Sequence, residues 1–160
     1  MKKDVQFDVS AAAIKQYYLK LQNMLHPDRF ATRSSMERDY SNTQSALVNR
    51  AYKTLSDPLK RGMYMLGLHG FELDAEQTES TDSELLNEIF MMNFEVDDSD
   101  DVEELREMQT HLMEAIDGDL SELSTAFRQE EYEAARNVLI RLKYRTNIKI
   151  KIEDKLFTME

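Results

Sequence analysis

Apolar residues return every three or four positions along most of this chain, a period that predicts amphipathic helices rather than strands. Ile14, Tyr17, Tyr18, Leu21, Met24 and Leu25 share one stripe of a first helix, which Ser10 can cap. Pro27 ends it, because the residue before a proline is pushed out of helical geometry. A polar stretch runs from Asp28 to about Asp39, and a second helix follows with Leu47, Val48, Ala51, Tyr52 and Leu55 on its stripe. Two such helices joined by a polar loop predict an antiparallel hairpin that buries facing stripes. In Ser56-Asp57-Pro58, Asp57 suits an N-cap and Pro58 the first helical position, where its missing N–H is harmless. The short helix it opens, with Leu59, Met63 and Leu66 inward, ends in the Gly67–Gly70 region.

Residues 71–81 are acidic and turn-like, and predict a linker between a first domain (1–70) and a second (82–160). Asp82 or Ser83 can cap a helix carrying Leu85, Leu86, Ile89, Phe90, Met92 and Val96. The acidic run Asp97–Asp101 interrupts it and favours a new helix start, since acids suit the positive end of the helix dipole. That long helix has Leu105, Met108, Leu112, Ile116, Leu123 and Phe127 on its stripe. After a turn near Gln129–Glu131, a last helix places Ala135, Val138, Leu139, Leu142, Ile148 and Ile152 inward. Its Ile148-Lys149-Ile150-Lys151-Ile152 segment alternates as a strand would. The sum is an all-α chain: a helical hairpin plus a short helix, then a three-helix bundle.

Composition supports this, with only 4 Gly and 2 Pro in 160 residues and 32% of positions charged. Cysteine is absent, which removes disulfides, cysteine ligation of metals and thiol nucleophiles together. No apolar run approaches the roughly 20 residues of a membrane span, and the first residues lack the apolar core of a signal peptide. The net charge of −11 hides a split: residues 1–70 hold 11 Lys/Arg against 6 Asp/Glu, and residues 71–160 hold 9 against 25. Phosphate repulsion weighs against nucleic acid for the acidic half, and the modest basic excess of the first half fits an acidic protein partner as well as nucleic acid.

Catalytic chemistry is hard to place. His26, His69 and His111 lie on separate segments with no second histidine at ligand spacing. There is no phosphate loop and no nucleophile elbow. Asp97–Asp101 lacks the Gly and terminal Glu of a calcium loop. Neighbouring acids such as Glu103-Glu104 read as solvated helix faces. Nothing here calls for a cofactor or a metal, and the chain reads as a non-enzyme.

One constellation is specific. His26-Pro27-Asp28 sits in the loop of the predicted hairpin, followed by Arg29-Phe30, and Asn49-Arg50-Ala51-Tyr52-Lys53-Thr54-Leu55-Ser56-Asp57-Pro58 closes the second hairpin helix. Together these resemble the J-domain family. Leu59-Lys60-Arg61-Gly62-Met63-Tyr64-Met65-Leu66, Leu68-His69-Gly70 and Leu142-Lys143-Tyr144 extend the resemblance, in order and over nearly the whole chain, to the HscB/Jac class of co-chaperones. Leu47-Val48-Asn49 and Arg61-Gly62-Met63-Tyr64 look closer to the mitochondrial branch than to the bacterial one. Family members begin with a further short helix, whereas only Met1–Asp8 precedes the first long helix here, so that element is missing or replaced. The cysteine-rich extension and targeting segment of larger animal members are not in these residues.

The resemblance implies a co-chaperone that stimulates a DnaK-type chaperone ATPase and delivers an iron–sulfur cluster scaffold protein to it, in the mitochondrial matrix of a eukaryote or the cytoplasm of a bacterium. It implies that His26, Pro27 and Asp28 contact the ATPase, with Lys15, Lys20, Arg29 and Arg33 steering toward an acidic face; Lys20 and Arg33 fit plain solubilising charges equally well. It maps scaffold binding to Leu86, Phe90 and Phe94, with Tyr144 as the aromatic of the last helix. Leu86, Phe90 and Phe94 are four apart and line one face, while Leu85, Ile89, Met92 and Val96 form a second apolar stripe. A core role for Phe90 stays open, and Phe94 stands where the family has a polar or acidic residue. The alternative reading is a J-domain adaptor for a different client, and neither reading involves nucleic acid or a membrane.

Overall fold

The computed structural model describes residues 6–71 and 83–159, and every regular element among them is helical. The chain divides into two compact units, Met1–Tyr64 and Met65–Glu160. The expected linker, apart from Phe71, and the candidate cap Asp82 lie outside the described residues.

In the first unit, α1 (Ala11–Leu25) and α2 (Ser35–Ser56) form the hairpin. Ser10 Oγ caps α1 by accepting from the Ala13 N–H at 3.3 Å. His26, with ψ 130°, leaves helical geometry just before Pro27. The polar stretch is shorter than expected, because a 3-10 turn (Pro27–Phe30) and the start of α2 occupy much of it. Ser34 opens α2 with a capping box: its Oγ accepts from the Glu37 N–H, and the Glu37 carboxylate accepts from the Ser34 N–H at 3.1 Å and Oγ at 2.8 Å.

The hairpin buries its facing apolar stripes only in part: Ile14, Tyr18, Leu25, Val48 and Tyr52 are half-buried, and α1 has no fully buried residue. A polar ladder also joins the helices. Ser41 Oγ donates to the Leu25 carbonyl at 2.6 Å, Ser45 Oγ to Gln22 Oε1 at 2.9 Å, and Gln22 Nε2 and Tyr18 OH both donate to Asn49 Oδ1 at 2.6 and 3.0 Å. Tyr18 stacks on Tyr52 with centroids 4.1 Å apart. Ile14, Tyr17, Leu21, Val48, Ala51 and Leu55 join those two rings around an apolar groove of about 190 Å3. The residues before α1 are non-helical from Gln6, and Phe7 is buried there, with the Arg61 guanidinium 4.8 Å over its ring.

Helix α3 (Pro58–Leu68) starts as the sequence predicts, with Asp57 Oδ1 accepting from the Leu59 and Lys60 N–H groups at 3.0 and 3.2 Å. Its buried stripe is Arg61, Gly62, Met65 and Leu66; of the expected Leu59, Met63 and Leu66 only Leu66 is buried, Leu59 being half-buried and Met63 exposed. The helix closes on Gly70, at φ 80°, with the Phe71 N–H donating to the Leu66 carbonyl and the Gly70 N–H to Gly67, a Schellman closure.

The second unit packs α4 (Ser83–Asp98), α5 (Val102–Arg128) and α6 (Tyr132–Met159) as three helices. Asp101 caps α5, its Oδ1 accepting from the Glu103 and Glu104 N–H groups. Ile89, Val96, Leu105, Leu112, Ile148, Ile152 and Leu156 make one core cluster. The alternating isoleucine segment stays helical: Ile148 and Ile152 lie four apart on the core stripe, and Ile150 is exposed. Tyr132 stacks on His69 at 4.1 Å and tilts against Phe71.

Candidate functional sites

The His26-Pro27-Asp28 turn lies at the loop end of the hairpin, where α1 passes into α2. The Asp28 N–H donates to His26 Nδ1 at 3.3 Å, which leaves the neutral ring its proton on Nε2. Asp28 Oδ2 stands 3.6 Å from the same nitrogen, and the carboxylate is 91% exposed, available to a planar cation on a partner. Both imidazole and carboxylate are thus presented to solvent from a short, internally hydrogen-bonded turn.

Its predicted basic companions divide. Arg29 Nη1 donates to the Asn23 carbonyl at 2.6 Å, so this guanidinium caps the last turn of α1 as well as adding charge beside the turn. Lys15 and Lys20 are exposed on α1, but five residues place them about 140° apart around the axis. Arg33 is exposed between the 3-10 turn and α2. The sequence reading missed the nearby Ser34–Glu37 box, although Ser-x-x-Glu ahead of a helix was there to be found. Its hydrogen bonds from the Ser34 hydroxyl and then the Ser34 N–H hold the Glu37 carboxyl below its usual value.

The second cluster is on α4. Ile89 and Val96 are buried, Leu85 and Met92 pack against the core, and the other stripe stays in solvent: Leu86 is 39%, Phe90 67% and Phe94 58% exposed. Phe90 is therefore not a core residue. Met91, at 54%, extends this face and was not anticipated. Tyr144 differs from the other three, since it is half-buried against the core cluster. The register of α4 and α6 sets its height along the pair. Glu88 pairs with Arg145, Asn93 with Lys151 and Asp97 with Lys155, offsets of 57, 58 and 58 residues between parallel helices, and this register sets Tyr144 level with Leu86. Among the described residues no three His, Asp or Glu side chains converge as metal ligands, and no helix is long and apolar enough to cross a membrane.

Residues 4–64 match the family model described as DnaJ domain, and residues 81–153 that described as HSCB C-terminal oligomerisation domain. The human iron-sulfur cluster co-chaperone protein HscB is 36% identical over 147 residues, covering 92% of this chain and 63% of the human protein. This chain therefore spans somewhat under two thirds of that relative. The co-chaperone protein HscB homolog of Vibrio cholerae is 31% identical over 153 residues, 93% of this chain and 90% of the bacterial one. The crystal structure of human co-chaperone protein HscB superposes with a TM-score of 0.91 at 35% identity, covering 97% of this chain and 79% of that one.

Proposed function

Because this chain belongs to the HscB family of J-domain co-chaperones, we propose that it stimulates the ATPase of a DnaK-type chaperone while delivering an iron–sulfur cluster scaffold protein to it. The first domain (1–70) engages the chaperone through His26, Pro27 and Asp28, with Lys15, Lys20 and Arg29 as nearby positive charge. The second (82–160) holds the scaffold on Leu86, Phe90 and Phe94, beside Tyr144. The chain acts as an activator, not as an enzyme, and its place is the mitochondrial matrix in a eukaryote or the cytoplasm in a bacterium.

The observation that carries this reading is the exposed Asp28 carboxylate beside the His26 ring, on a turn at the loop end of a polar, hydrogen-bonded hairpin. A short fixed turn loses little freedom on binding, and an exposed carboxylate can accept both N–H groups of a partner arginine. The α4 face supports the second half, since exposed aromatic anchors with Asp97 on the same face have the form of a protein-binding patch.

The test is single-turnover ATP hydrolysis by a DnaK-type chaperone, with and without purified scaffold. The protein should accelerate hydrolysis, and His26→Gln or Asp28→Asn should abolish this without changing the melting curve. A Leu86→Ala/Phe90→Ala/Tyr144→Ala variant should keep basal stimulation yet lose scaffold binding by about two orders of magnitude or more in calorimetry. Undiminished stimulation by the turn variants removes the J-domain role. Wild-type scaffold affinity in a folded triple variant leaves an adaptor for another client.

A further inference from the structure

Helix α4 buries only Ile89 and Val96 fully along sixteen residues, and α6 grips it through three cations as well. Arg145 Nη2 lies 3.1 Å from Glu88 Oε1, and Lys151 Nζ lies 3.3 Å from Asn93 Oδ1 and 2.7 Å from Asp97 Oδ2. Lys155 Nζ donates to the backbone carbonyls of both Val96 and Asp97 at 2.8 Å, with Asp100 at 3.9 Å. The last of these is a helix cap supplied from another helix. Carbonyls in a final helical turn lack donors within the helix, and that end carries the negative pole of the dipole. Asp97 and Asp98 add two more negative charges there. An ammonium at this point answers both the missing donors and the unfavourable charge.

At about 100° per residue, Asn93 falls between the buried stripe of Ile89 and Val96 and the exposed stripe of Leu86, Phe90 and Phe94, and Asp97 falls at the Leu86 edge of the exposed stripe itself. Lys151 and Lys155 therefore hold α4 along the border of its exposed apolar face. On α6, Tyr144, Ile148, Lys151 and Lys155 follow one stripe, so the element that grips α4 also carries the aromatic at the far end of that face.

We propose that Lys155, assisted by Lys151 and Arg145, is a positioning residue for client binding: it caps α4 from α6 and fixes the register in which Leu86, Phe90 and Phe94 stand beside Tyr144. This rests on the reading of that face as the scaffold site. It touches no client itself, and its effect passes through the order of the last two turns of α4.

The test compares Lys155→Met, Lys155→Arg and Phe90→Ala in the full chain, by amide hydrogen exchange and by calorimetric titration with purified iron–sulfur cluster scaffold protein. Lys155→Met should speed exchange across residues 93–99 and weaken scaffold binding, each by about tenfold or more, the scale of hydrogen bonds to a charged donor. Amides of α5 and of the first three turns of α6 should stay protected, and Lys155→Arg should restore both quantities. Phe90→Ala should lose affinity while α4 exchange stays at the wild-type rate. Unchanged exchange over 93–99 in Lys155→Met overturns the cap, and faster exchange with undiminished affinity overturns its positioning role. A rise in exchange throughout α5 and α6 also overturns it, by making Lys155 a general stability residue. Full affinity in Phe90→Ala defeats the scaffold-face reading instead, and the exchange data still decide whether Lys155 caps α4.

Discussion

Arg145 Nη1 lies 2.8 Å from both carboxylate oxygens of Asp119, whose side chain is 2% exposed. Arg141 Nε reaches the same carboxylate at 2.6 Å and also pairs with Glu122. Burial pulls the Arg141 guanidinium down, but its hydrogen bonds with Asp119 and Glu122 outweigh this and the net shift is upward. A single buried anion thus joins two cations of α6 to α5, and through Arg145 to Glu88 of α4.

Removing that anion leaves two partly buried guanidinium groups without their shared partner. Asp119→Ala should therefore destabilise the second unit by about 3–5 kcal/mol, whereas Glu122→Ala, at a half-exposed pair, should cost about 1 kcal/mol or less. Urea denaturation followed by circular dichroism measures both. Equal costs for the two would show that burial does not set the value of this network.

Helix α5 closes through Glu130 at φ 59°, with the Glu131 N–H donating to the Ala126 carbonyl at 2.9 Å and the Glu130 N–H to Phe127. This is the same closure that ends α3 at Gly70, but with a side chain in left-handed geometry. Glu130→Gly should raise stability by about 1 kcal/mol, seen as a higher melting temperature. A lower one would mean that the Glu130 side chain contributes more than its backbone strain costs.

The Ser34–Glu37 box makes the start of α2 pH-sensitive. The folded-state carboxyl of Glu37 is held below its ordinary value, so its contribution is complete above the ordinary glutamate range. That contribution is lost as pH falls through the folded value. Amide exchange in the first turn of α2 should accelerate over that acidic window, and Ser34→Ala should abolish the pH dependence. A pH-independent first turn in the wild-type protein contradicts the assignment.

Phe7 is the one fully buried apolar side chain of the described residues before α3, and it lies beneath Arg61. Burial lowers the Arg61 pKa, with Asp8 and Asp57 opposing that shift. Since the α1–α2 groove stays open, the first unit has little apolar area to spare. Phe7→Ala should cost it about 3 kcal/mol, visible as faster amide exchange in α1 and α2 with α5 unchanged. Unaltered exchange there would show that the hairpin's polar ladder suffices alone.

The sequence by itself determined most of the helix ends, because capping is local, although the start of α2 at the Ser34–Glu37 box was not read from it. Ser10, Asp57-Pro58, the Gly67–Gly70 stop and Asp101 each act within a few residues of themselves, and each stands where the pattern puts it. It also determined the α5 and α6 core stripes, since long amphipathic helices in a small bundle have one place to bury their apolar faces. Tertiary structure decided which of two apolar stripes on α4 faces the core, because periodicity finds stripes and not neighbours. It likewise decided that the α1–α2 seam is built from Ser41, Ser45, Gln22 and Asn49, whose partners lie 16 to 31 residues away, beyond any local signal. The grip of Lys155 on α4 spans nearly 60 residues, and in the sequence it looks like one more surface lysine. Only the packed parallel pair of helices brings that ammonium to the carbonyls that lack a donor.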